Sequence, residues 1–300
     1  MLRRWEITRA YDDGTSVGRS HDLMRRRSGE YPSRGIGGRE SGRTARRSGT
    51  TIDTIDTLIE RLVAARRPGA PRVASDSPLP HGLDDAYRIQ SGVAARLGAV
   101  GAFKCGRRAP DAVPKLAPVF ASDVHADGAQ LAADVAIVPA IELEIAFRLI
   151  ATPPAADDRA FEARLRDRVE LLPAFELVGS RLADRDVADE AWQLADNQNN
   201  AAVVVGTPLA DARGSELDRR DARLVIGGRE LHANPATVPG GDAFATFAAF
   251  AHALGTHCGG LHVGQVCITG ALIGPHPVEA GDRLHGWIDG LGTVDARIAP

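Results

Sequence analysis

The sequence predicts an α+β fold built on a mixed or antiparallel sheet system. Three observations lead there. Apolar residues recur at helical spacing at the start of the folded body and again over residues 244–254. Elsewhere, short apolar or alternating runs bounded by Gly and Pro read as strands. The helices and strands follow no regular βαβ rhythm, which argues against a Rossmann-type sheet.

The elements follow in order. Ile52, Ile55, Leu58, Ile59, Leu62 and Val63 predict one amphipathic helix, which Pro68 and the Pro-rich stretch 71–80 break. Asp84 or Asp85 is expected to cap a second helix carrying Tyr87, Ile89 and residues 93–97, ended by Gly98 and Gly101. Strand-like pieces follow at 101–105, 117–121 and 136–150. A charged helix is expected over 157–170, then buried strands at 171–178 and 201–206. Residues 221–232 read as a hairpin, 244–254 as an Ala/Phe-rich helix, and 265–269, 283–288 and 293–298 as closing strands.

Charge divides the chain in two. Residues 1–50 hold 12 Arg, no Lys and 6 acidic residues, whereas residues 51–300 hold 24 basic and 33 acidic ones. The first segment is rich in Arg, Ser and Gly and lacks apolar periodicity. It cannot bury enough surface to offset its ordering entropy, so a disordered basic extension is expected. The acidic body argues against nucleic acid as a partner. No apolar run approaches the ~20 residues of a membrane helix. Three cysteines, Cys105, Cys258 and Cys267, argue against a disulfide scaffold and for a cytoplasmic protein.

Several constellations are able to carry chemistry. In residues 141–149, Ile141, Leu143, Ile145, Phe147 and Leu149 alternate with Glu142, Glu144 and Arg148, so the two acids share one strand face ~7 Å apart. Either this is a solvated face, or a divalent cation such as Mg²⁺ or Mn²⁺ offsets the paired carboxylates. Glu176 stands alone in the apolar run 171–178. It is a third metal ligand, a partner of Arg181, or a residue on a polar outer face. The amide-rich run 196–200 orients a substrate or forms a turn. Lys104 is one of two lysines among 36 basic residues and is flanked by small and apolar neighbours. His252, His257, Cys258 and His262 resemble a metal cluster. Yet His252 and His257 lie about 140° apart round a helix, and glycines 255, 259 and 260 indicate loop. Cys105 reads as a small buried thiol.

Taken together, a series of stretches resembles the 2-keto-4-pentenoate hydratase branch of the fumarylacetoacetate hydrolase superfamily. They are Leu83-Asp84-Asp85-Ala86-Tyr87-Arg88-Ile89-Gln90, Phe103-Lys104-Cys105-Gly106, Ile141-Glu142-Leu143-Glu144-Ile145-Ala146-Phe147 and Phe175-Glu176-Leu177-Val178-Gly179-Ser180-Arg181. Ala195-Asp196-Asn197, Gly264-Gln265-Val266-Cys267-Ile268-Thr269-Gly270-Ala271, Ala280-Gly281-Asp282 and Gly290-Leu291-Gly292 complete it. The resemblance implies a mixed β-roll or barrel-like core, with an N-terminal helical part over 51–115 and a β-rich catalytic domain over 116–300. It implies Mg²⁺ or Mn²⁺ held by Glu142, Glu144 and Glu176, with Lys104 and Asp196 catalytic. Asn197, Thr269, Gly270 and Arg181 are the implied substrate-binding residues.

The implied reaction is hydration of a 2-hydroxy-2,4-dienoate or similar small 2-oxo acid in aromatic-compound catabolism, by a homo-oligomer of two or more copies. C–C hydrolysis of an acylpyruvate, decarboxylation of a 2-oxo acid, and a partner-dependent or non-catalytic role are the alternatives. The segment after Lys104 departs from the family, since Pro114-Lys115 stands where an acidic partner of the lysine is sought. Asp111 and Asp123 are the other candidates for that acid.

Overall fold

The computed structural model of the protein describes residues 54–75, 79, 81–132, 140–184, 186, 188–208, 217 and 219–300. The expected extension at 1–50 lies outside them. Helix α1 (Ile55–Ala64) is capped by Thr54, whose hydroxyl accepts the Thr57 N–H, and buries Leu58, Ile59 and Leu62. Helix α2 (Leu83–Leu97) starts differently from the sequence expectation. Gly82 occupies the cap at φ 55, and Asp84 and Asp85 stand in the first turn. There the partial positive charge of the helix start favours them, and Asp85 accepts the His81 N–H at 3.1 Å.

Strands β1 (Val100–Gly106), β2 (Lys115–Phe120), β3 (Val124–Ala126), β4 (Ala129–Leu131) and β5 (Ala140–Leu149) come next. Residues 136–139 of the expected strand lie outside the described residues. Helix α3 (Phe161–Arg166) is much shorter than the expected 157–170. Leu165 is its one buried residue, so it has almost no apolar face to hold a longer helix. Val169 already pairs with Leu149 as the start of β6 (Val169–Val178). Helix α4 (Glu190–Ala195), β7 (Asn200–Val205), the two-residue β8 (Thr207–Pro208), β9 (Arg220–Ile226), β10 (Arg229–Ala236) and α5 (Ala243–Leu254) follow. Strands β11 (Val266–Pro277), β12 (Arg283–Ile288) and β13 (Gly292–Ile298) close the chain.

One sheet runs β2-β1-β11-β5-β6-β7-β3, the other β10-β9-β12-β13-β4 with β8 also on β13. The pairs β1–β11, β3–β7 and β13–β4 are parallel and the rest antiparallel, so the expected mixed system is present. The first sheet curls. Ala102, Val119, Ala146, Leu172, Ala174, Val203, Val205, Val266 and Ile268, drawn from six of its strands, meet in one buried cluster. Strands β2 and β7, at opposite ends of that run, also touch. A flat sheet allows neither contact, so this is a barrel-like wall lined by Ala and branched apolar side chains.

The outer face of the wall carries the alternate residues. The second sheet packs there so closely that a Cβ on Gly286 would stand 2.7–2.8 Å from Leu143 and Phe175. Phe247 of α5 stacks on Phe147 at 4.9 Å, and Phe250 packs on Phe103 at 5.4 Å. Helices α1, α2 and α4 share a separate apolar cluster with Phe120 and Leu182. No helix among the described residues is long and apolar enough to cross a membrane.

Candidate metal centre

Period 2 along β5 sends Ala146, Glu144 and Glu142 to the inner face of the curled sheet. The antiparallel register then sets Glu142 directly opposite Glu176 on β6. One carboxylate oxygen from each of Glu142, Glu144 and Glu176 falls within 4.8 Å of the others. Glu144 and Glu176 are 0% exposed. The face that alternation alone left open to solvent is therefore interior, because the sheet closes over it.

Like charges facing one another across strands repel, and burial adds to the cost. Three contacts offset part of it. Lys104 Nζ stands 2.8 Å from Glu176 Oε2, and its side chain is 15% exposed. The Gly270 N–H donates to Glu144 Oε2 at 2.6 Å. The Asn200 side-chain amide donates to Glu176 Oε1 at 2.8 Å. Glu144 Oε1 is buried with no hydrogen-bond partner among the described residues.

The balance remains negative. Burial first, and then Glu176, push Glu142 up to about 7 against the pull of Lys104. Burial, Glu176 and Glu142 hold Glu144 well above the ordinary carboxylate value. Burial disfavours the Lys104 ammonium, but Glu176, Glu142 and Glu144 together outweigh it, and the lysine stays charged above its usual range. Three carboxylates around one orphaned oxygen form a donor set that fits a hard divalent cation.

Lys104 reaches this point because β1 faces inward at even positions. Beside it the chain takes an unusual turn: Asn197, Gln198 and Asn199 have φ of 53, 53 and 58. Consecutive left-handed residues without glycine cost roughly 1–2 kcal/mol each, less for Asn, and such strain gathers at functional sites. The turn brings the Gln198 carbonyl to 3.4 Å from Lys104 Nζ, and Gln198 Nε2 donates to the Lys115 carbonyl at 3.2 Å. Gly106 leaves room for it, since a Cβ there would lie 2.3 Å from Gln198 Oε1.

The remaining expected residues fall out as follows. Gly270, at φ 112, supplies its amide to Glu144. Thr269 is buried and donates its hydroxyl to the Ile145 carbonyl at 3.0 Å. Asn197 is buried, and its side-chain oxygen has no hydrogen-bond partner among the described residues. Arg181 does not pair with Glu176. Its guanidinium pairs with Asp196 Oδ1 and also donates to the Asp196 and Asn200 carbonyls. Asp196 Oδ2 accepts from Ser180 Oγ and from the Arg181 N–H.

Neither substitute acid is a partner of Lys104. Asp123 pairs with Arg66 at 3.3 Å, Asp111 is exposed, and Lys115 pairs with Glu190. The acids that touch or act on Lys104 are the three glutamates themselves. Sequence reasoning missed the separate parts played by Asn200, Gln198 and Gly106, for which the amide-rich run 196–200 was the available signal.

The histidine and cysteine cluster forms no metal-ligand group among the described residues, although Cys258 Sγ lies 3.3 Å from His257 Nε2. His257 Nε2 lies 2.8 Å from Gln90 Oε1, His262 Nε2 lies 3.0 Å from the Gly259 carbonyl, and His252 packs edge-on to Phe161. Burial pushes the Cys105 thiol up to about 12, which suits an inert core residue. Among the described residues, only the three glutamates gather as a metal-ligand group.

No protein-family profile matches the chain. It is 30% identical over 194 residues to a protein described as TodF product hydratase from Pseudomonas putida, covering 62% of this chain and 69% of that one. It is 31% identical over 186 residues to a 2-keto-4-pentenoate hydratase from Burkholderia vietnamiensis, covering 61% and 69%. Its fold matches 4-oxalocrotonate decarboxylase from Pseudomonas putida G7 with a TM-score of 0.65 at 20% identity, over 81% of this chain and 97% of that one. With likeness of this extent to two hydratases, and with the fold that accompanies it, the chain belongs to the 2-keto-4-pentenoate hydratase branch of the fumarylacetoacetate hydrolase superfamily.

Proposed function

We propose that this chain is a divalent-metal-dependent hydro-lyase that adds water to a small 2-oxo acid of the 2-hydroxy-2,4-dienoate type, in the breakdown of aromatic compounds. One observation carries the reading. Glu142, Glu144 and Glu176 converge with Lys104 on the inner wall of the barrel, and Glu144 Oε1 lacks a protein partner. The names of the two related hydratases support it, as does the description of the similarly folded decarboxylase as complexed with magnesium and adipate. Glu142, Glu144 and Glu176 would hold Mg²⁺ or Mn²⁺. When bound, such a cation polarises the paired carboxylate and keto oxygens of a 2-oxo acid and stabilises negative charge developing on them.

The chain's own groups do the rest. Lys104 stays an ammonium between the carboxylates and the Gln198 carbonyl. It is placed to hold an anionic oxygen of the substrate and to pass or receive a proton at Nζ. The Asn197 amide, buried with an open oxygen, offers an orienting contact. The small apolar side chains below the carboxylates keep that side of the site dry. Hydration adds the elements of water to a conjugated acid and needs no redox group.

The test is loss of dienoate absorbance catalysed by the purified protein with Mg²⁺ or Mn²⁺, abolished in Glu144→Gln. Full activity after exhaustive chelation refutes the reading. Turnover of an acylpyruvate in place of the dienoate would move the assignment to a C–C hydrolase.

A further inference from the structure

The geometry points to Asn200 as a positioning residue: its side-chain amide sets Glu176 for cation binding, and the buried Arg181–Asp196 ion pair holds Asn200 in place. This rests on the proposed cation site. Asn200 is 3% exposed and opens β7 directly after the left-handed turn. Its Nδ2 donates to Glu176 Oε1 at 2.8 Å, while its carbonyl accepts from Arg181 at 2.7 Å. One residue thus touches both the candidate ligand and the ion pair.

The ion pair is tied at every corner. Asp196 closes the turn before the strand and receives Ser180 Oγ, the Arg181 N–H and the Arg181 guanidinium. The Gly179 N–H donates to the Asn199 carbonyl at 2.8 Å, which laces the end of β6 to the same turn. Glu176 lies on that strand, three residues before Gly179. The network therefore fixes both ends of the Asn200–Glu176 contact, the strand that carries the carboxylate and the amide that aims it.

The assignment changes the part given to Arg181 and Asp196. Both side chains are buried, and Arg181 spends its hydrogen bonds on Asp196 and Asn200. Their charge serves to seat Asn200, and they act on the chemistry only through it. Of the two oxygens of Glu176, Oε1 is held by Asn200 and Oε2 faces Lys104. A carboxylate free to rotate would present neither oxygen reliably. A second contact that orients a ligand is commonly worth 10–100-fold in metal affinity.

The experiment compares Mn²⁺ binding to the cation-free full-length wild type, Asn200→Leu and Asn200→Asp by calorimetry, with hydration kinetics alongside. Leu keeps the branched shape and the main-chain link to Arg181 and removes the side-chain amide that donates to Glu176. It is expected to weaken Mn²⁺ binding 10–100-fold, with kcat restored near wild type at saturating Mn²⁺. Asp sets a like charge against Glu176 and shifts the apoprotein's Mn²⁺ binding to higher pH. Wild-type affinity in a folded Asn200→Leu overturns the proposal, as does a kcat that saturating Mn²⁺ does not restore. Should the Leu variant fail to fold, unchanged binding by Asn200→Asp overturns it equally. Absence of Mn²⁺ binding by the wild type would instead remove the cation site itself.

Discussion

Replacing Lys104 with Met separates two parts that the lysine combines, guarding the carboxylates and serving the reaction. Nζ stands 2.8 Å from Glu176 Oε2. A small divalent cation bonds a carboxylate oxygen at about 2.1 Å, so a cation on that oxygen would lie at most about 5 Å from the ammonium. At an effective dielectric of about 20, a double and a single positive charge at that distance repel by roughly 7 kcal/mol. The net effect on affinity is smaller than this, because the side chain can lean away toward the Gln198 carbonyl and the glutamates take up protons once the lysine is gone. A fifth of that repulsion already amounts to about a tenfold change in affinity.

Lys104→Met is therefore expected to bind Mn²⁺ at least tenfold more tightly than wild type at pH 8.5, by calorimetry, while losing hydratase activity. Without a cation the same variant is expected to be less stable. Breaking a buried ion pair costs about 3–5 kcal/mol, a fall in Tm of roughly 6–20 °C for a domain of this size, which added Mn²⁺ should recover. A folded Lys104→Met that binds Mn²⁺ no better than wild type would show that lysine and cation do not share the glutamates, and the reasoning would fail.

Two further outcomes follow from the same geometry. Glu142 and Glu144 hold protons in the folded protein that the unfolded chain releases near its ordinary carboxylate value, so their contribution to cation-free stability is present at low pH. It is lost as pH rises through about 7 for Glu142, and Glu144, held well above the ordinary carboxylate value, loses its share in the same direction. Chemical denaturation with and without Mn²⁺ across pH 4–9 should show that decline only without the metal, and Mn²⁺ affinity rising over the same window. Gly106→Ala places a Cβ against Gln198 Oε1. It should lower kcat about tenfold or more by shifting the turn beside Lys104, leave Mn²⁺ affinity within about twofold, and be relieved by Gln198→Ala in the double variant.

Much of the site was readable from local pattern. Strict alternation in 141–149 placed Glu142 and Glu144 on one face, and an acid in an apolar run singled out Glu176. Local pattern could not show whether that face was wet. Closure of the sheet depends on β2 and β7 meeting, contacts between residues some eighty positions apart, and no window of sequence carries them. The partner of Arg181, which the sequence leaves open, is hidden for the same reason. Glu176 is the nearer acid in sequence, but the chain returns at Asp196 and the turn after it delivers the better-matched carboxylate. The charged stretch 157–170 looked helical because Arg and Glu favour helices. The structure keeps six residues of it, since β6 claims Val169 and Glu170 for pairing with β5.

The small side chains that fill the barrel wall below the carboxylates, Ala102, Ala146, Ala174, Val203 and Val266 among them, close off one end of it. The site is a blind alley. Whatever reaches Glu144 comes and goes by the side where Glu142 and Lys104 keep partial exposure. If the proposed 2-oxo acid is the substrate, its acidic end would have to enter first, and variation in the rest of the molecule would be felt on the open side and not by this floor.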